Sequence, residues 1–224
     1  MTFSIVARCA QTGMFGVAVC SSSPAVAACC AYAQAGVGAV ASQNITDPRL
    51  GSGALALMKA GATADQAIQT LRQTGRFLEF RQLLAVDRQG NTAIHSGQQA
   101  LGVWSQAKAA NVACGGNLLA SPDVPQAMVD DFLSRDGDLG DRIVAAMHAG
   151  LAAGGEAGPV HSAGLLLVDE VDWPVADLRC DWTEDCPLDA LAALWARYKP
   201  QLQAYVTRAL DPRDAPSYGV PGNP

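Results

Sequence analysis

Charged side chains are scarce in this sequence of 224 residues. Only 16% of the residues are Asp, Glu, Lys or Arg, against a hydrophobic share of 50%, and Arg8 is the single charged side chain between Met1 and Thr46. A chain with so much apolar material and so little charge is not expected to be disordered. The shortage also predicts that the opening segment lies mostly inside a folded domain.

Positive charge is especially sparse. The sequence has three lysines, Lys59, Lys108 and Lys199, and a formal net charge of -6. Such a chain offers no basic patch that could neutralise phosphates, so no nucleic acid partner is expected.

Long hydrophobic runs and a basic leader are missing as well. No stretch of eighteen apolar residues runs without Gly, Ser or Asn, so no membrane span and no membrane partner are expected. Residues 1–15 lack the basic segment of a secretory signal, and Arg8 interrupts their apolar run. These absences predict a soluble, cytoplasmic protein.

Motifs for metals and nucleotides are also absent. The three histidines do not form His-x-x-x-His, and neither Gly-Lys-Ser/Thr nor Gly-x-Ser-x-Gly occurs. We therefore expect no metal, no cofactor and no α/β-hydrolase. The seven cysteines are an odd number and are predicted to be reduced, although Cys180 and Cys186 leave a disulfide or a metal half-site open.

What is present predicts strands and helices in alternating groups. Apolar runs separated by turn residues predict three β-hairpins, 2–9 with 15–21, 80–87 with 91–96, and 162–168 with 173–178. Two further strands are predicted over 36–43 and 112–120. Caps and helical spacing predict helices over 48–61, 63–74, 123–134, 139–153 and 187–210, the last kinked at Pro200.

This order predicts an α+β fold in which two antiparallel sheets stack and helices cover both outer faces, a four-layer αββα sandwich. Residues 1–210 are predicted to form a single domain. Residues 211–224 contain four prolines and are predicted to be an extended tail.

Thr2 is the residue most able to carry chemistry. It follows Met1 directly, and an initiator methionine is generally removed when the next residue is small. A free N-terminal threonine carries its own base, because its α-amine, with a reference pKa of about 7.7 to 8, lies beside its own hydroxyl. The alternative is that Met-Thr is an ordinary start with no catalytic meaning.

Other polar residues stand at predicted strand ends. Ser22 and Ser23 follow the second strand, where a plain turn before Pro24 is the alternative. Arg81 lies inside an apolar strand, where a buried guanidinium needs an anionic partner or a carboxylate ligand. Gln43 ends the next apolar run, where its amide could bind a substrate or only satisfy a strand end, and Asn117 could present its amide to an oxyanion or stand in a tight turn. His95 and His161 are the remaining candidates for contact with a substrate.

Several segments together resemble a known bacterial family. They are Thr2–Arg8, Gly16–Val19 leading to Ser21–Ser23, Ala35–Val40, Arg81-Gln82, His95–Gly97, Gly116–Leu118, His161–Ala163 and Arg208–Pro212. The sequence resembles the family called domain of unknown function 1028 over essentially the whole chain. That family is similar in fold to the N-terminal nucleophile (Ntn) hydrolases, which include proteasome β-subunits.

The resemblance implies a hydrolase that cleaves an amide C–N bond of a small molecule or short peptide through an acyl-enzyme on Thr2, within a homodimer. The proteasome-like pattern adds an aspartate after the second strand and a lysine about thirty residues from the nucleophile. This sequence has no acid before Asp47 and no lysine before Lys59, so the network that assists Thr2 must differ or activity is absent. Arg8 or Arg81 could replace the missing positive charge. The rival hypothesis is a ligand-binding or assembly protein that keeps the fold without the chemistry.

Overall fold

The fold is taken from a computed structural model that describes residues 2–219. Within that range the strands are β1 (Thr2–Arg8), β2 (Phe15–Ser21), β3 (Ala31–Gln34), β4 (Gly38–Asn44), β5 (Arg81–Asp87), β6 (Thr92–Ser96), β7 (Ser105–Ala109), β8 (Val112–Asn117), β9 (Ser162–Val168) and β10 (Ala176–Cys180). The helices are α1 (Ala27–Cys30), α2 (Pro48–Lys59), α3 (Ala64–Thr74), α4 (Val124–Ser134), α5 (Leu139–Ala152), α6 (Pro187–Tyr198) and α7 (Leu202–Leu210). Short 3-10 turns precede β5 and join α6 to α7.

The strands form two antiparallel sheets. Sheet A has the order β10-β9-β2-β1-β8-β7, and sheet B has the order β3-β4-β5-β6. The central strands β1 and β2 are buried along nearly their whole length, as the scarcity of charge in this segment predicts. None of the helices in the described range is long and apolar enough to cross a bilayer.

Three apolar cores hold four layers together. Phe3, Ile5 and Ala7 of β1 point away from sheet B and belong to one core with apolar residues of α4, α5 and α6. Val6 points the other way, into the core between the two sheets. A third core joins the outer face of sheet B to α2 and α3. The αββα sandwich predicted from the element order is thus confirmed.

The element predictions are confirmed for the three hairpins, with β10 shifted toward the C-terminus, and for the helices α2 to α5, whereas the single-turn helix α1 was not predicted. Two strands were missed: β3, whose Ala- and Cys-rich sequence shows no alternation, and β7, whose polar residues lie on a sheet edge. The predicted last helix is interrupted near Pro200, which cannot donate a main-chain hydrogen bond, by the 3-10 turn Lys199–Gln201.

The described part of the tail, residues 211–219, contains no helix or strand. It lies against α7, because Arg208 donates to the carbonyl of Pro216 and stacks on the ring of Tyr218 at 3.9 Å. The rest of the predicted extended tail, residues 220–224, lies outside the described residues.

Candidate active site

Thr2 begins β1 between two polar strand ends. Asn117 of β8 is its partner in register on one side, and on the other side its Oγ1 lies 3.3 Å from the Oγ of Ser21 in β2. Side chains alternate along a strand, and Ser4, two residues on, bonds to sheet B, so Thr2 also faces the cleft between the sheets. Thr2 is 5% exposed and Asn117 1% exposed, so this polar group is enclosed.

Glu156 joins the same end of the cleft from a distant part of the sequence. It follows α5 through the turn Gly154-Gly155, both in the left-handed region that favours glycine. The turn lays Glu156 antiparallel to Leu119, two residues beyond Asn117. Its two carboxylate oxygens accept hydrogen bonds from the main-chain N–H of Ser22 at 3.1 and 3.3 Å.

Burial controls the charge of this carboxyl group. Glu156 is 5% exposed, and its removal from water raises its pKa to about 7, while hydrogen bonds from Ser22 and the charge of His161 oppose the rise. A carboxyl group that titrates near neutral pH can hold or release a proton under ordinary conditions.

A chain of buried amides runs from the cleft floor across both sheets. Ser4 Oγ donates to Gln43 Oε1 at 2.6 Å, and Gln43 Nε2 donates to Gln82 Oε1 at 2.7 Å. Gln82 Nε2 in turn lies within hydrogen-bond distance of Ser96 Oγ and of the carbonyls of Ser105 and Gly116. Gln43 and Gln82 are fully buried, so these bonds fix both amides beneath the polar group.

Asn117 connects that chain to Thr2, and one of its polar atoms is unused. Its Nδ2 lies 3.5 Å from Gln82 Oε1, whereas its buried Oδ1 has no hydrogen-bond partner among the described residues. The next residue, Leu118, has φ +52, a left-handed conformation that is costly for a leucine. A strained backbone beside an unsatisfied buried acceptor is typical of a binding site.

Ser22, Ser23 and His161 form the rim of this end. Ser22 is half-buried, Ser23 is exposed, and the main-chain N–H of His161 donates to the carbonyl of Ser21 at 2.8 Å. His161 Nδ1 donates to the carbonyl of Thr183 at 2.8 Å, which directs the ring, and Trp182 stacks on it at 4.3 Å. The structure therefore brings Thr2, Ser22, Asn117 and His161 to one end of the sandwich, with Gln43 below them.

Arg81, Arg8 and His95 are placed differently. Arg81 donates from Nη1 to the carbonyl of Ile45, and within residues 2–219 no carboxylate forms an ion pair with it. Arg8 lies at the other end of β1, about 20 Å from Thr2 along the strand. His95 pairs in register with Leu83, which faces α2 and α3, and its Nε2 lies 2.8 Å from the carbonyl of Leu78. None of the three has a described contact with Thr2.

The cysteines, histidines and acidic residues of the described range do not form a metal-binding group. No group of three or more His, Cys, Asp or Glu in the described part of the chain is arranged to hold an ion. All seven cysteines are free thiols, including Cys180 and Cys186, for which the sequence left a disulfide open. A surface groove of about 590 Å³ lies between α4, α5 and α6, on the far side of sheet A from Thr2.

Sequence reasoning missed Glu156 and Gln82. Glu156 is about 150 residues from Thr2 in the chain, inside a glycine turn that gave no catalytic signal. The one feature of the sequence that could have indicated Glu156 is its position directly after the Gly-Gly pair that ends a predicted helix. Gln82 adjoins Arg81, and strand alternation would have placed one of the two in the cleft, which turns out to be Gln82.

The chain matches the sequence model of a known protein family. The model described as Family of unknown function (DUF1028) matches residues 2–191. A DUF1028 protein from Silicibacter pomeroyi has a crystal structure that is similar with a TM-score of 0.82 and 28% identity, covering 88% of this chain and 89% of that one. No match was found among curated proteins.

Two other solved structures match most of the chain with lower TM-scores and lower sequence identity. Anbu, an ancestral β-subunit, from Yersinia bercovieri matches with a TM-score of 0.44 and 14% identity over 90% of this chain and 96% of its own. Anbu from Hyphomicrobium sp. strain MC1 matches with a TM-score of 0.39 and 11% identity over 89% and 95%.

Proposed function

The chain belongs to the DUF1028 family, a family of unknown function, and from the geometry around Thr2 we propose that it is an Ntn-type amidohydrolase. It would cleave an amide C–N bond of a small molecule or short peptide. The observation that carries the proposal is the position of Thr2, at the start of a central strand and within one buried cluster with Ser21, Asn117 and Glu156.

The proposed reaction begins after removal of Met1. The α-amine of Thr2 takes the proton from Oγ1 as that oxygen attacks the substrate carbonyl. The C–N bond then breaks, and the same proton leaves with the amine product. A water molecule, activated by the α-amine, hydrolyses the resulting ester and restores the hydroxyl. These steps need no cofactor.

Glu156 is a positioning residue in this scheme. Its buried carboxylate and the unpaired Oδ1 of Asn117 are both acceptors at the end of the cleft where the α-amine would lie. Acceptors of this kind orient an amine and stabilise its protonated form. Glu156 would thus supply the acid that the sequence lacks after the second strand. Ser22, Ser23 and His161 would contact the substrate from the rim.

The test begins with the mass of the intact protein, which should lack Met1. The processed protein is then assayed on a panel of aminoacyl and N-acyl p-nitroanilides and dipeptides. We expect Thr2→Ala to abolish turnover and Thr2→Ser to keep part of it, because serine preserves the hydroxyl and the amine. His148→Ala, a half-exposed site on α5, is the matched control. Full turnover by Thr2→Ala would disprove the assignment.

The burial of Thr2 favours a second candidate, a non-catalytic ligand-binding or assembly protein. A nucleophile that is 5% exposed can react only if the cleft opens or if removal of Met1 makes its hydroxyl accessible to the substrate. If Met1 is retained completely, and the panel compounds raise the melting temperature without being cleaved, the binding protein is the correct hypothesis.

A homodimer in the cytoplasm remains part of the proposal. Ile45, Leu101, Val103 and Trp104 are large, exposed apolar side chains on loops near Asn44, an arrangement that suits contact with a second copy. The seven free thiols suit a reducing compartment. Light scattering on the purified protein tests the dimer.

A further inference from the structure

Ser21 lies next to Thr2 across the first hairpin. The register Phe3↔Cys20 places Ser21 opposite Thr2, and the two side-chain oxygens are 3.3 Å apart. Residues that face each other in an antiparallel pair project to the same side of the sheet, so both hydroxyls lie on the cleft side. Ser21 is fully buried, and the contact is therefore shielded from bulk water.

The same row of side chains continues into β9 with Ser162. This residue is the partner of Ser21 in register and is also fully buried. Its Oγ donates to the carbonyl of Ser23 at 2.6 Å and accepts the N–H of Val26 at 3.2 Å. Ser162 thus supports the turn after β2, and its hydroxyl has no described contact with Thr2. The two buried serines differ in which of them touches the proposed nucleophile.

The turn after β2 also affects Ser21 as a hydrogen-bond donor. The main-chain N–H of Ser23 donates to Ser21 Oγ at 3.0 Å. A hydroxyl oxygen that accepts a hydrogen bond has a more polarised O–H group, which then donates more strongly. In the proposed reaction the proton of Thr2 Oγ1 moves to the α-amine, so Oγ1 needs a donor beside it rather than another acceptor.

We propose that Ser21 is a catalytic residue, whose hydroxyl donates to Oγ1 of Thr2 and stabilises the negative charge that develops on this oxygen. The role assigned to Ser21 rests on the proposed function, because it assumes that Thr2 is the nucleophile. A hydrogen bond to a charged oxygen is stronger than one between neutral groups, so the stabilisation grows as Oγ1 loses its proton.

Ser21 gives up no proton in this scheme. The proton of Oγ1 passes to the α-amine of Thr2 and leaves with the amine product, and the Ser21 hydroxyl is the same before and after. The same hydrogen bond assists hydrolysis of the ester, because Oγ1 is then the leaving group and again gains negative charge.

A covalent probe tests this role without knowledge of the substrate. When a β-lactone acylates Thr2, Oγ1 bonds to the carbonyl carbon, the ring C–O bond breaks, and the proton passes through the α-amine to the released alkoxide. The full-length protein without Met1 should gain one lactone on its tryptic peptide Thr2–Arg8. We expect Ser21→Ala to be labelled there about 10- to 100-fold more slowly, through loss of one hydrogen bond to a charged oxygen.

Ser162→Ala is the matched control. It removes a buried hydroxyl from the same row and the same turn, and it should be labelled at close to the wild-type rate. Ser21→Cys keeps a weak donor at the same position and should react at a rate between those of wild type and Ser21→Ala. If melting curves show that Ser21→Ala does not fold, Ser21→Cys decides the test.

The outcomes separate this role from the proposed function. Equal labelling of wild type and Ser21→Ala would overturn the role of Ser21 and leave Thr2 as the nucleophile. Equally slow labelling of Ser21→Ala and Ser162→Ala would assign the effect to the turn and would overturn it too. If wild type is labelled at this peptide no faster than Thr2→Ala, the proposed function itself fails. On a substrate from the p-nitroanilide panel, the loss in Ser21→Ala should appear in kcat and leave KM unchanged.

Discussion

Glu156 shows how one buried carboxyl group can link stability to pH. Its pKa is raised to about 7 by loss of solvation, above the value near 4.5 of an unfolded chain. The folded protein therefore holds a proton that the unfolded chain releases between pH 4.5 and 7. Stability must fall as the pH rises through this window, and the loss is complete above about pH 7.

Glu156→Gln should remove that slope. We expect the variant to be more stable than wild type by about 2 kcal/mol at pH 8, and to lose this advantage below pH 4.5. Denaturant melts at several pH values measure the difference. Glu184→Gln, an exposed carboxylate near His161, is the control and should leave the slope unchanged. An unchanged slope in Glu156→Gln would show that another group titrates in this range.

The same variant separates a catalytic contribution from a structural one. If Glu156 positions the Thr2 amine, turnover by Glu156→Gln should fall about 100-fold or more, although the protein is more stable at pH 8. The wild-type rate should rise with pH through about 7 as the carboxylate forms. A variant with wild-type kcat and an unchanged pH profile would remove Glu156 from the mechanism.

Most of the candidate residues were visible in the sequence because they stand at strand ends. Thr2 begins an apolar run, Asn117 ends one and Ser22 follows one, and the register of the antiparallel strands brings these positions together. Glu156 was not visible, since only the path of the chain after α5 carries it there. Arg81 lies apart from this cluster: it is half-buried, and its Nη1 donates to the main-chain carbonyl of Ile45.

At the scale of the element, α2 contains two glycines with opposite roles. A Cβ on Gly51 would lie 2.2 Å from the ring of Tyr32, whose hydroxyl is fixed by a bond to the carbonyl of Cys29. A Cβ on Gly53 would meet nothing closer than Leu71 at 3.6 Å. Gly51 thus permits a close approach of helix and strand, whereas Gly53 adds only flexibility.

Alanine substitutions should separate these roles. Gly53→Ala should stabilise the protein by about 0.5–1 kcal/mol, because alanine loses less backbone entropy in a helix. Gly51→Ala should destabilise it by about 1–3 kcal/mol, because the ring of Tyr32 must move. Thermal melts of the two variants compare the same change within one helix. Equal effects would contradict the packing argument.

Elements with clear periodicity or caps were predictable, and those defined by their neighbours were not. Thr63 caps α3 through a reciprocal bond with Gln66, a pattern readable from the sequence. Strand β3 has no such signal, and it is a strand because Ala31–Gln34 pairs with β4. Tertiary pairing rather than local preference determines such edges.

At the scale of the whole molecule, the interface between the two sheets contains polar side chains as well as apolar ones. Gln82 spans it with bonds to Gln43, Ser96 and the main chain of β7 and β8. Removal of the amide would delete all of these bonds at once, although Gln43 keeps its bond to the carbonyl of Gly115 and Ser96 keeps its bond to Gln106. The apolar core holds the sheets together, while the amides determine how they are aligned.

Gln82→Leu should therefore destabilise the protein by about 3 kcal/mol, despite its similar volume and greater hydrophobicity. Gln106→Leu is the matched control, since that exposed side chain accepts one hydrogen bond from Ser96 and should change stability by less than about 0.5 kcal/mol. Urea unfolding at neutral pH gives both values. A neutral Gln82→Leu would mean that the amide chain contributes only to the site.

The enclosed amide pair also gives the molecule a spectroscopic marker. The side-chain NH₂ groups of Gln43 and Gln82 are bonded and shielded from bulk water. Their hydrogens can be replaced by deuterium only when the two sheets separate, so they should persist in NMR spectra long after exposed glutamines have exchanged. The rate at which these NMR signals decay therefore measures how often the cleft that contains Thr2 opens.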